Sequence, residues 1–101
     1  MTLTAKRARR DDDLQRIPSV GPSIARDLRD IGIRRVADLR GRDPERLYAR
    51  LNARRGITQD RCVLYTFRCA VYFASTTRPQ PDLLKWWNWK DARVRTRRRH
   101  A

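Results

Sequence analysis

Apolar residues recur at helical spacing in a series of short segments, and most segments are bounded by a glycine, a proline or an aspartate. Leu14 follows Asp11 to Asp13, whose carboxylates suit the unpaired N–H groups of a helix start, and "DDLQRI" predicts a short first helix that Pro18 stops. The next residues, "SVG", turn the chain. Pro22 then occupies a favoured first helical position, and Ile24, Ala25, Leu28 and Ile31 line one face of a second helix that Gly32 ends. Ile17, Val20 and Ile33 supply apolar pins around this hinge. A second unit repeats the outline: Val36, Ala37 and Leu39 anchor a short helix closed by Gly41. Asp43 and Pro44 open a longer helix carrying Leu47, Tyr48 and Leu51, and Gly56 stops it.

"TQDRCVLYTFRCAVYFAS", residues 58–75, is the most apolar stretch. It lacks strict alternation and exceeds the usual length of a strand, so it reads as a helix. Little of its circumference is polar apart from Arg61 and Arg68, which calls for neighbours on every side or a partner chain. After the linker "TTRPQP", "DLLKWWNWKDARV" predicts a last helix capped by Asp82. Trp86, Trp87 and Trp89 cannot all share one face of it, so at least one indole points outward, into an interface or onto a nucleic-acid base. The expectation is an all-α fold, a compact bundle of about five or six short helices around one core.

Charge narrows the partners. The chain of 101 residues carries 25 Lys plus Arg against 11 Asp plus Glu, a formal net charge of +14, which attracts polyanions. Residues 14–91 hold the apolar content and form the expected domain, while residues 1–13 and 92–101 read as charged arms. Arg95, Arg97, Arg98 and Arg99 in the second arm offer auxiliary contacts to phosphates, or serve only solubility. No stretch is long and apolar enough for a membrane span, and the start lacks the apolar centre of a signal peptide, so a cytoplasmic location is expected. Cys62 and Cys69 stand seven residues apart on one helix, an α-carbon separation of about 10 Å. That is beyond disulfide reach, so both are expected as free thiols packing as small hydrophobes.

Catalytic inventories come up short. With two cysteines and a single histidine, His100 in the basic arm, there is no metal-ligand grouping and no nucleophile with its base. No glycine-rich nucleotide loop occurs, and the acids are not clustered for metal-assisted cleavage. No enzyme activity, cofactor or metal is expected. The hinge remains. A turn running straight into a helix N-terminus points several backbone N–H groups one way, and these can hold a phosphate without reading a base. Gly21 permits close approach, Ser19 and Ser23 offer hydroxyls, and Arg26, Arg29, Arg34 and Arg35 add charge around Val20 at the turn.

"IPSVGPSIARDLRDIGI" resembles the helix-hairpin-helix motif of DNA-binding proteins through Pro18, Val20, Gly21, Ala25, Leu28 and the closing Gly32-Ile33. Ser19 stands where that motif commonly has its first glycine, and "LRGRDPE" makes the second unit a degenerate hairpin. Across residues 14–91 the chain is similar to the pathogenicity locus family of small helix-hairpin-helix proteins, some of them labelled mitomycin-resistance proteins. "GIRRVADLRGRDPERLY", "DRCVLYTFRCAVYFA" and "LLKWWNWKD" carry that resemblance. It implies a SAM-like, helix-hairpin-helix architecture and DNA association, with no catalytic set. Two functions follow as expectations. The first is non-specific phosphate contact with duplex or branched DNA. The second is a protein-interaction or homodimeric assembly module in which the hinge is structural only.

Overall fold

The structure, a computed structural model, describes residues 12–94. Within them lie three α-helices, α1 (Pro22–Asp30), α2 (Pro44–Arg55) and α3 (Arg61–Ser75). Four 3-10 turns accompany them: η1 (Asp13–Arg16) before α1, η2 (Val36–Leu39) between α1 and α2, and η3 (Pro81–Leu84) and η4 (Trp86–Trp89) after α3. Residues 91–94 add a last helical turn, and no strand occurs among the described residues. The fold is all-α. Arg95, Arg97, Arg98 and Arg99 lie outside the described residues, as does the expected N-terminal arm up to Asp11.

Local chemistry sets the ends of these elements. Asp43 caps α2 by accepting from the Glu45 N–H at 2.9 Å, and Asp60 caps α3 by accepting from the Cys62 N–H at 2.9 Å. At the other end of α2, Gly56 takes a left-handed conformation (φ 68°, ψ 20°) while its N–H still reaches the Asn52 carbonyl at 2.9 Å. A β-carbon would strain that backbone, which is why a glycine closes the helix.

Helix α3 forms the centre. Leu64, Phe67, Cys69 and Ala70 are fully or almost fully buried, and α2, η2, η3 and η4 pack around the helix. Leu47, Tyr48 and Leu51 face it from α2, while Leu14, Ile17, Val20, Ala25, Leu28 and Ile33 bring the first unit into the same core. Full burial of each Leu, Ile or Phe contributes about 1.5–3 kcal/mol before chain entropy is counted. Both cysteines are free thiols, but only Cys69 packs as a hydrophobe; Cys62 is exposed on the first turn of α3.

Two charges are buried with this core, and both are paired. Arg68 is 9% exposed, and its guanidinium donates to the Trp89 carbonyl at 2.8 Å, Asp91 at 2.9 Å and Glu45 at 3.1 Å. Asp27 meets Arg55 at 2.7 Å. Removing one member of such a pair costs more than the pair itself contributes, because the other charge is left in a poorly solvated place.

The tryptophan segment departs from the predicted continuous helix. Asp82 does not cap a helix there; it lies inside η3, after Gln80 and Pro81. The carbonyls that an α-helix would pair four residues ahead are taken by side chains instead. Asn88 donates to the Asp82 carbonyl at 2.7 Å and Trp89 Nε1 to that of Leu83 at 2.7 Å. Ser19 Oγ donates to that of Leu84 at 2.6 Å. Such competition for backbone acceptors breaks the ladder into two short turns. Trp86 and Trp89 are half-buried, with Trp89 tilted against Tyr72 at 5.4 Å between ring centres, and Trp87 is the outward indole at 47% exposure.

The Ser19 hydroxyl is thus a tie between residues far apart in sequence. Ser19→Ala leaves the Leu84 carbonyl without its donor, and the expected cost is about 1–2 kcal/mol of unfolding free energy. Urea denaturation of the native chain and the variant measures it, and equal midpoints would mean that the tie contributes nothing.

Candidate nucleic-acid interface

The hinge, residues 17–21, is held from beneath. Ile17 and Val20 are buried, and the Val20 N–H returns to the Ile17 carbonyl at 2.9 Å. Ser19 is half-buried and points inward: besides donating to Leu84 it lies 3.0 Å from the Cys69 sulfur. Its one hydroxyl hydrogen is committed to the protein. Val20 likewise offers no side chain to a ligand. Gly21, the N-cap, and Pro22 and Ser23, the first two residues of α1, are exposed.

The start of α1 differs from those of α2 and α3. No side chain accepts from its first-turn N–H groups, whereas the other two helices each have an aspartate cap. The Ser23 and Ile24 N–H groups are therefore left without a side-chain acceptor at the positive end of the helix. Gly21 at this N-cap has φ −95°, which any residue adopts, and a β-carbon built there would meet nothing within 4 Å. Neither backbone strain nor internal packing requires a glycine at this position.

Among the predicted arginines, Arg26 is exposed on α1 and makes no salt bridge among the described residues. Arg29 is engaged: its guanidinium bonds the Asp12 carboxylate. Burial alone would raise the Asp12 carboxyl, but hydrogen bonds from Gln15 and Arg29 hold it below the usual carboxylate range. Arg34 and Arg35 are exposed past the end of α1, and their backbone N–H groups both donate to the Asp38 carboxylate at 3.1 Å. The structure thus brings Gly21, Ser23 and Arg26 to one stretch of surface and directs Ser19, Val20 and Arg29 into the protein's own contacts.

Arg50 and Arg54 were not among the predicted residues. Four residues apart on the exposed side of α2, they line a surface groove of about 600 Å³ with Asp30, Ile31 and Ala53. The signal was present in "RLYARLNARR", where arginines at four-residue spacing alternate with small alanines.

At the opposite end Asp91 anchors the helical turn that leads into the basic arm. Its carboxylate accepts from Arg61 at 2.7 and 2.8 Å, from Arg68 at 2.9 Å and from Tyr65 Oη at 3.3 Å. Hydrogen bonding from Arg61 holds its carboxyl below the usual range, opposed by desolvation and reinforced by Arg68. Among the described residues no group of His, Cys, Asp or Glu is arranged to hold a metal, and no helix is long and apolar enough to cross a membrane.

Fold and hinge together define a small all-α protein whose exposed chemistry is a bare helix start among arginines. The chain belongs to the pathogenicity locus family: the family model so described, Cdd1, matches residues 7–95. It is similar to the mitomycin resistance protein McrB of Streptomyces lavendulae, with 40% identity over 83 residues, covering 82% of this chain and 75% of the relative. No solved structure matches the chain.

The Asp91 contacts carry a pH dependence of definite sign. A carboxyl whose folded pKa is depressed contributes stability that is complete above its unfolded value, about 3.9, and is lost as pH falls through the folded value. Urea midpoints of the native chain and Asp91→Asn should differ fully at neutral pH and converge as the pH drops below about 4. A gap that persists unchanged at low pH would contradict the assignment.

Proposed function

We propose that the protein is a non-enzymatic, cytoplasmic DNA-binding protein that holds duplex or branched DNA through its phosphates, with the hinge acting as a helix-hairpin-helix. The observation that carries this reading is Gly21. Nothing inside the protein uses the absence of its side chain, yet it stands beside the uncapped N–H groups of α1. A phosphate oxygen fits that arrangement, since it needs bare backbone for close approach and a positive helix end to face. Arg26 supplies a charge one turn along the same helix. Contacts of this kind position nucleic acid without reading its sequence, so binding should be salt-dependent and indifferent to base order.

The roles differ from residue to residue. Gly21, Ser23 and Arg26 face the phosphate, while Ser19 and Val20 hold the turn in shape. Arg34 and Arg35 contribute charge beyond the far end of α1, and Arg95, Arg97, Arg98 and Arg99 add long-range attraction. The competing assembly reading rests on the apolar central helix or the tryptophan segment taking a partner. On α3 Val63, Tyr65, Val71, Tyr72 and Phe73 are half-buried and most of the rest is buried within the same chain, so the apolar surface left for that reading is small apart from the outward Trp87.

Gly21→Asp separates folding from binding because the two should move in opposite directions. A carboxylate at the N-cap satisfies the free N–H groups of α1 and raises stability by up to about 1 kcal/mol. The same carboxylate occupies and repels the phosphate position, so affinity for short duplex DNA should fall about tenfold or more, the equivalent of one charge-assisted hydrogen bond. Urea denaturation and fluorescence-anisotropy titration measure the two effects. A stabilised variant that binds DNA as tightly as the native chain would remove the hinge from the interface.

A further inference from the structure

We infer that the exposed face of α2, where it meets the C-terminal end of α1, is a second phosphate-binding site for the same duplex, built on Arg50 and Arg54. The inference rests on the proposed DNA-binding role and extends it to a surface away from the hinge. Three observations carry it.

The first is charge left over after internal pairing. Asp30 faces the groove between the two helices, but its carboxylate is held by Arg55 at 2.7 Å, and Arg55 also takes Asp27 at 2.7 Å. One arginine thus serves both acids. Arg26 and Arg54 lie within electrostatic reach of Asp30 without bonding it. Arg50 makes only a long hydrogen bond, 3.4 Å, to the Ile31 carbonyl. Four arginines therefore face two aspartates across this junction, a surplus of two positive charges that the groove shares with the hinge through Arg26.

The second is shape. Arg50 and Arg54 are one helical turn apart, about 6 Å along the axis, and the groove between them is floored by Ala53 and Ile31. A small residue between two long cations keeps the surface open to a bulky anion, and their guanidinium forks match phosphate oxygens better than ammonium groups would. The third is continuity. Ser23, Arg26 and Asp30 follow one another at helical spacing along the same side of α1, so Arg26 stands between the hinge and the groove. Helix α1 has nine residues, which puts its two ends about 13 Å apart. That is close to the width of the major groove of duplex DNA, about 12 Å, so one duplex can offer phosphates from its two strands to both ends. A role of this kind also makes up for the second hairpin, whose "LRGRDPE" turn lacks the hinge's apolar-flanked glycine.

The test is the salt dependence of binding to short duplex DNA, read as the slope of log affinity against log salt. In the double variant Arg50→Gln/Arg54→Gln the slope should shrink by about 2, since each neutralised phosphate contributes about 0.9 on B-DNA. The control Arg78→Gln/Lys90→Gln removes the same charge from exposed positions off the path and should leave the slope as it is. Urea midpoints confirm that all variants fold. An unchanged slope in the Arg50/Arg54 variant, or an equal decrease in the control, overturns the second site. Comparison with Gly21→Asp separates the two ideas. If Gly21→Asp weakens binding while the double variant is silent, the groove is refuted and the hinge stands. If the double variant loses slope while Gly21→Asp binds normally, the groove stands and the hinge is refuted. A matched single strand losing as much slope as the duplex would overturn the proposed two-strand geometry.

Discussion

A helix of fifteen residues in which all but Arg61, Cys62 and Ser75 are buried or half-buried has to be covered by everything else the chain can provide. In about a hundred residues that leaves little room for long elements, and the solution is a set of short pieces laid around α3: one turn-and-helix unit, then another, then the tryptophan segment. The same requirement decides where polar groups can go. Arg68 sits inside this helix and is tolerable only because Glu45, Asp91 and the Trp89 carbonyl converge on it from three other elements. Ser19 does similar work on the other side, joining the hinge to Leu84 and to Cys69 of α3. The hinge is therefore not a free loop; its buried residues are fixed to the core, and its exposed residues are presented at a set angle.

That division within the hinge explains the role of the serine that departs from the helix-hairpin-helix pattern. A glycine at position 19 could turn its backbone toward a ligand but could not tie the hinge to the tryptophan segment. Position 21 has the reverse character, bare of side chain with nothing internal to gain from it. Internal architecture and outward chemistry are thus assigned to residues two apart. The arginines divide in the same manner. Arg16, Arg29, Arg55, Arg61 and Arg68 are engaged by carboxylates, while Arg26, Arg50 and Arg54 make no salt bridge among the described residues.

Much of the fold was legible because its punctuation is local. Pro22, Asp43, Pro44 and Gly56 act on backbone groups within a few residues, so the bounds of α1 and α2 follow from the sequence alone. The apolar density of residues 58–75 likewise identified the central helix, which begins three residues later, at Arg61, where Asp60 caps it. The tryptophan segment was misjudged because its carbonyls are claimed by Ser19, Asn88 and Trp89, and one of these donors lies 65 residues away. The exposure of Cys62 depends on which few degrees of α3 are left uncovered, which periodicity does not resolve. At the candidate site, sequence could place arginines near the hinge but not say which were already neutralised. Arg29 meets Asp12 across 17 residues, and Arg50 and Arg54 approach α1 only after the chain has folded back.

The central claim is that a DNA phosphate sits on the uncapped start of α1. Titrating the isotopically labelled protein with short duplex DNA and following each backbone amide by NMR tests it at the atoms concerned. The account predicts large, saturating shifts at Gly21, Ser23 and Ile24, a smaller response along α1 through Arg26, and little change at the capped starts of α2 and α3. Shifts confined to the arginine-rich arm, with the three hinge amides unmoved at saturation, would contradict it.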